Sequence, residues 1–204
     1  MTYDTEPFWK WFDENNEQLT MLSEYDEETQ NRLLNTMQQQ LDNYCGGLTF
    51  EISEPSANGR RVVFTAEGDT ELFEPLLKLT DEAPDLDWWE FVPFKQPCGD
   101  DCKVRFDQYL FDTKKMYFMQ LESEEEPDIL GLRVAFDGAD NDNEDMLVGT
   151  YVTLEAMIGE FDCATLVGYL EICPKPEKPK DEGFLPLAEF PDFVEWFKQQ
   201  RDKR

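Results

Sequence analysis

The chain has 204 residues, of which 46 are acidic, 18 basic and none histidine, for a net charge of −28. Such a surface repels nucleic-acid phosphates and anionic membranes, which argues against direct nucleic-acid binding or membrane docking. It favours fast, salt-sensitive association with a basic protein.

Hydrophobic residues make up 40% of the chain, with 16 Phe and 5 Trp, enough to fill a core and unlike a disordered segment. No apolar run is long enough for a membrane span. Residues 1–13 are acidic and aromatic and lack the basic start and apolar core of a signal peptide, so the expected address is the cytoplasm. The odd set Cys45, Cys98, Cys102, Cys163 and Cys173 fits free thiols in a reducing compartment.

Pro7 opens a first helix, in which Phe8, Trp9 and Phe12 form one stripe suited to a sheet while Trp11 points elsewhere. A second helix is expected over 26–44, with Leu33, Leu34, Met37 and Leu41 on its apolar face and Gly46-Gly47 as the stop. Residues 48–52 alternate as a half-buried strand, Asn58-Gly59 marks a turn, and 61–65 return as a second strand. Asp69 or Thr70 caps a helix over 69–82, with Leu72, Phe73, Leu76, Leu77 and Leu79 buried and Pro75 near its first turn. Residues 88–94 form the next strand, which completes a β-β-α-β order.

Residues 96–101 make the best internal boundary, giving units 1–97 and 98–204, or one continuous domain. In the second half, 104–110, 115–121 and 129–136 read as strands, with the acidic run 122–128 between the last two. Residues 137–145 are a polar loop. Apolar spacing then predicts a helix over 147–158, although its Val and Thr content also suits a strand. Residues 165–173 read as a strand, 174–183 as a linker and 190–199 as a final helix. The class is α+β: two loosely similar β-β-α-β units, with N-terminal helices packed on antiparallel or mixed sheet.

Without histidine, the usual neutral-pH base and the commonest metal ligand are missing, and Ser-His or Cys-His nucleophilic machinery is ruled out. No GxGxxG, P-loop or GxSxG occurs, and no cofactor is expected. Carboxylate pairs suited to glycosidase-type chemistry arise by chance among so many acids. Cys98 and Cys102 read as two free loop thiols, with a disulfide between them left open. A zinc corner completed by Cys163 and Cys173, or a redox pair, is the less favoured reading, because structural zinc sites present two tight ligand pairs and the three-residue spacer is not that of CxxC. Asp140, Asp142 and Glu144 alternate as calcium ligands do. However, Asp145 stands where a calcium loop needs glycine and Tyr151 where it needs glutamate, so a solvated loop is expected.

Trp88, Trp89 and Glu90, with the acidic residues Glu122, Glu124, Glu125, Glu126 and Asp128, are the candidate partner-binding residues. Aromatic anchors ringed by carboxylates suit a basic protein. The competing reading is a buried tryptophan strand and a solvated loop, with one of the two adjacent tryptophans turned outward in any strand.

Residues 8–15 (Phe-Trp-Lys-Trp-Phe-Asp-Glu-Asn), Ile158-Gly159-Glu160-Phe161-Asp162 and Val167-Gly168-Tyr169-Leu170-Glu171-Ile172 resemble a family of uncharacterised bacterial proteins, chiefly of Bacteroidetes type. The run Phe64-Thr65-Ala66-Glu67-Gly68-Asp69, followed by Ala83-Pro84 and Trp88 or Trp89, fits the same pattern. That resemblance covers most of the chain and implies no activity, catalytic residue or cofactor. The expectation is a non-enzymatic acidic binding protein, such as an immunity or inhibitor protein for a basic toxin or nuclease. The alternative is a carboxylate-based enzyme or a small-ligand or metal-binding protein. Oligomeric state is not legible.

Overall fold

The structure, a computed structural model, describes residues 3–203. The fold is α+β and divides into two compact units, Met1–Lys95 and Gln96–Arg204. Among the described residues no helix is long and apolar enough to cross a membrane.

In the first unit, α1 (Glu6–Thr20) starts with Pro7 in its first turn, where the missing N–H costs nothing. A 3₁₀ turn, Leu22–Glu24, leads to α2 (Glu27–Tyr44). Asp26 caps α2, its carboxylate accepting the Thr29 N–H at 2.8 Å. β1 (Thr49–Ile52) pairs antiparallel with β2 (Arg60–Thr65), Phe50 opposite Phe64. The expected helix over 69–82 begins as a 3₁₀ turn, Thr70–Leu72, capped by Asp69, and becomes α-helical only as α3 (Phe73–Asp81). That order places Pro75 in the first α-helical turn, where no intrahelical N–H bond is lost. β3 (Trp89–Pro93) then runs parallel to β2, giving the order β1-β2-β3.

Period 2 puts Trp89 and Phe91 on one face of β3, and the α1 stripe packs onto that face. Phe12 meets Trp89 and Phe91 edge-on at 5.0 and 5.1 Å, and Trp9 meets Phe91 at 4.6 Å. The Trp9 Nε1–H donates to the Leu79 carbonyl at 3.0 Å, which ties α1 to α3 as well. Each such ring pair is worth about 0.5–1.5 kcal/mol beyond its area, so this aromatic cluster fixes the helix on the sheet.

In the second unit, residues 104–110 are not one strand. β4 (Lys103–Phe106) and β5 (Tyr109–Asp112) form a hairpin whose turn sets Asp107 at φ +49°, a conformation that aspartate tolerates. β6 (Tyr117–Leu121), β7 (Leu130–Phe136), β8 (Val167–Pro174) and β9 (Leu185–Pro186) make a sheet in the order β8-β7-β6-β9. β6 and β7 are antiparallel, and β7 and β8 are parallel. The stretch between β7 and β8 holds two helices: α4 (Glu144–Ile158), and α5 (Glu160–Leu166) where the sequence suggests that a strand begins at 165. Gly159, at φ +85°, ends the first and starts the second. The expected linker over 174–183 contains a 3₁₀ turn, Pro179–Glu182, that delivers the chain to β9. α6 (Phe190–Arg201) closes the unit, with Phe190, Val194 and Phe197 buried and Phe118 meeting Phe190 at 5.2 Å.

Both units therefore contain a β-β-α-β core with the same pairing: an antiparallel pair, a helical crossover, and a third strand parallel to the second.

Candidate functional site: two acidic, aromatic clefts

The acidic run lies between β6 and β7. Glu122, Glu124, Glu125, Glu126 and Asp128 are all exposed, and the loop is shaped by the Glu126 N–H donating to Ser123 Oγ at 3.2 Å. Glu122, Glu124 and Glu126 line a cleft of about 500 Å³ together with Trp196, Phe197 and Gln200 of α6. Helical geometry explains the arrangement. Phe197 sits on the buried face of α6, and the neighbouring Trp196 is turned outward at 51% exposure. The Trp196 ring still rests on Phe193 at 5.5 Å, so its base is supported. Lys203 also lines this cleft. Glu125 and Asp128 lie outside the lining.

Trp196 has no place among the sequence candidates. The loop and α6 are about 70 positions apart; α6 rests on β6, the strand from which the loop departs, through Phe118 against Phe190 and Phe193.

The adjacent tryptophans of the first unit have opposite fates. Trp89 is half-buried and stacks on Phe91, and its Nε1–H is buried with no hydrogen-bond partner among the described residues. Glu90 is exposed and pairs with Arg61 at 2.8 Å, as cross-strand neighbours do. Trp88 is 61% exposed and lies before the strand, not within it. The Trp89 N–H donates to the Leu86 carbonyl at 3.1 Å, closing a four-residue turn with Trp88 third at φ +73°. A type II turn gives that position to glycine, because a side chain there costs about 1–2 kcal/mol.

One hydrogen bond and one close approach hold the Trp88 backbone, and the Arg60 side chain anchors the strand start behind them. The Arg60 N–H donates to the Trp88 carbonyl at 2.8 Å. Gly59 lies so close that a Cβ on it would come within 2.3 Å of the Trp88 oxygen. The buried Arg60 guanidinium donates to the Thr20 and Ser53 carbonyls and to Ser23 Oγ, joining the end of α1 to the start of β2. Around Trp88 a second cleft of about 480 Å³ is lined by Asn16, Glu17, Thr20, Met21, Leu86 and Asp87.

The cysteines offer no activated nucleophile. Cys98 and Cys102 are not the free thiols that the sequence suggests but are joined as a disulfide, in a loop held by the Cys98 N–H on the Ala156 carbonyl at 2.7 Å and by Thr113 bonded to Cys102 and Asp100; Cys45, Cys163 and Cys173 are free. Burial pushes the Cys163 thiol up to about 12, and it raises Cys45 and Cys173 as well, all away from the reactive thiolate range. The zinc reading loses its first ligand pair to the disulfide. Among the described residues, no group of three or more Cys, Asp or Glu side chains is placed to hold a metal ion.

In the calcium-like loop, Asp140, Asp142 and Glu144 are exposed and the polar groups serve the fold. Asp140 accepts the Asp142 N–H at 3.1 Å, Asn141 accepts the Ile172 N–H at 2.9 Å, and Asn143 caps α4 through the Met146 N–H at 3.0 Å. A smaller cleft of about 200 Å³ between β5, β7 and α4 includes Tyr109, Phe111, Phe136, Asp112 and Asp137. Its two carboxylates are paired, Asp112 with Lys103 and Lys115, and Asp137 with Lys175.

No protein-family model, curated protein or solved structure matches the chain.

Proposed function

We propose that this chain is a non-enzymatic acidic binding protein whose partner is a basic protein, in the manner of an immunity or inhibitor protein covering the cationic surface of a toxin or nuclease. The observation that carries the reading is the cleft in which Glu122, Glu124 and Glu126 face the exposed Trp196. The carboxylates steer a cationic surface and select its sign, while a rigid indole supplies the contact area that steering alone lacks. The net charge of −28 extends the same preference over the whole molecule.

The test is capture from native lysate at low and high salt, using the tagged wild type beside the triple variant Glu122→Gln, Glu124→Gln, Glu126→Gln. The expected result is one basic protein retained by the wild type, released by salt, and bound roughly tenfold more weakly by the variant, in line with the loss of a few charge pairs. Equal retention by both proteins, or a partner that is not basic, contradicts the proposal.

A further inference from the structure

The cleft around Trp88 in the first unit has features that the fold alone does not require. A glycine at position 88 fits the turn better than tryptophan does. The indole gains little by burial, since most of it faces solvent. The turn is nonetheless held from behind by the Arg60 N–H on the Trp88 carbonyl and by the close approach of Gly59. The ring is therefore presented outward from a held backbone, in a cleft that it lines together with the exposed Met21 and the carboxylates Glu17 and Asp87. Among the described residues no basic side chain lines this cleft.

We infer that Trp88 is a preorganised anchor for an arginine side chain of a basic protein partner, an assignment that rests on the basic-partner reading above. The flat guanidinium stacks on the indole face, and its forked N–H donors reach the carboxylates of Glu17 and Asp87 at the same rim. Arginine fits this combination better than lysine. Its charge is planar and weakly hydrated, whereas an ammonium is a compact, strongly hydrated point charge. A turn already locked before binding loses little freedom when the partner arrives, which is the advantage that offsets the backbone strain.

Three probes test this on the full chain: a short Gly-Arg repeat peptide, its Gly-Lys counterpart, and a neutral Gly-Leu peptide. They are titrated at low salt against the wild type, Trp88→Gly, Trp88→Tyr and Glu17→Gln/Asp87→Asn, with calorimetric affinities for all four proteins and the Trp88 indole N–H resonance as the site-resolved readout in the two that keep it. The expected outcome is a selective shift of the Trp88 indole signal and several-fold tighter binding of the arginine peptide than of the lysine peptide. Trp88→Gly should lose that preference while its melting temperature holds or rises by roughly 2–4 °C, since glycine relieves the turn. Trp88→Tyr should keep the preference, and the double carboxylate variant should weaken arginine binding without moving the melting temperature downward. Arginine binding unaffected by Trp88→Gly overturns the anchor and leaves the basic-partner reading standing. Equal affinity for arginine and lysine peptides, or tighter binding of the neutral peptide, also overturns it. If neither cationic peptide binds the wild type, the basic-partner reading falls and takes the anchor with it.

Discussion

Gly149 shows how tightly single positions constrain the second unit. A Cβ there would lie 2.4 Å from the Phe111 ring, which is itself buried against Phe136 and cannot swing aside. Gly149→Ala should therefore destabilise the protein by about 1–3 kcal/mol, the cost of overpacking, despite alanine's better helix propensity. Denaturant unfolding checks this, and an unchanged midpoint would mean that α4 has room to move off the hairpin.

Arg60 makes the corresponding case in the first unit, with its charge buried and satisfied by two carbonyls and a hydroxyl. Its replacement in Arg60→Ala should cost about 2–3 kcal/mol, from charged hydrogen bonds lost together. The bond from the Arg60 N–H to the Trp88 carbonyl is a backbone one and survives this substitution, so the Trp88 indole resonance should stay in place while the end of α1 loosens.

Glu171 ties one residue to pH. The Arg133 side chain that donates to it holds its carboxyl below the usual 4.5, with the Tyr169 hydroxyl adding to the effect. In that window the unfolded chain binds more protons than the folded one, so stability rises with pH. The contribution is full above the unfolded pKa and is lost as pH falls through the depressed folded value. The stability gap between wild type and Glu171→Gln should accordingly narrow on acidification below about pH 4.5, the reference value for the free carboxyl. A gap that widens there would contradict the Arg133–Glu171 pairing.

At the scale of elements, the helix caps are individually modest and testable. Asp26→Ala should cost about 1 kcal/mol by leaving the Thr29 N–H without its side-chain acceptor. Thermal unfolding of the single variant checks that figure.

Most elements were legible because their periodicity is strong. The α1 stripe of Phe8, Trp9 and Phe12 and the α2 face of Leu33, Leu34, Met37 and Leu41 are apolar at helical spacing, and all but the half-buried Leu34 are buried. What escaped did so for local physical reasons. The β4–β5 turn carries no glycine or proline, only an aspartate that tolerates positive φ. Gly159 looks like a helix end and is one, but it also starts α5, and the β-branched residues after it suggest a strand too early. β9 is two residues long, too short to leave a pattern. The clefts were less legible than the elements. Trp196 meets the acidic loop only through the tertiary arrangement, and the outward turn of Trp88 depends on a positive φ that composition does not signal.

For the whole molecule, the repeated β-β-α-β order shows that one small topology serves twice, with different additions. The first unit adds α1 and α2 ahead of it; the second adds the β4–β5 hairpin before it and β9 with α6 after it. The second set of additions creates the acidic cleft, since α6 supplies Trp196.

Charge acts on the molecule as one body. At −28 the folded chain repels itself, and salt relieves this by shortening the reach of each charge from about 10 Å at 0.1 M to about 3 Å at 1 M. Raising sodium chloride through that range should therefore raise the melting temperature of the free protein while weakening its association with a basic partner. These opposite signs separate electrostatic binding from a general effect on folding.

The most direct measurement of the central claim is the dissociation constant for the basic protein retained in capture, determined by calorimetry at 0.1 M and 1 M sodium chloride. The account predicts a loss of at least tenfold in affinity across that range, most of it absent in the Glu122→Gln, Glu124→Gln, Glu126→Gln variant. An affinity indifferent to salt, or equal in the variant, would contradict it.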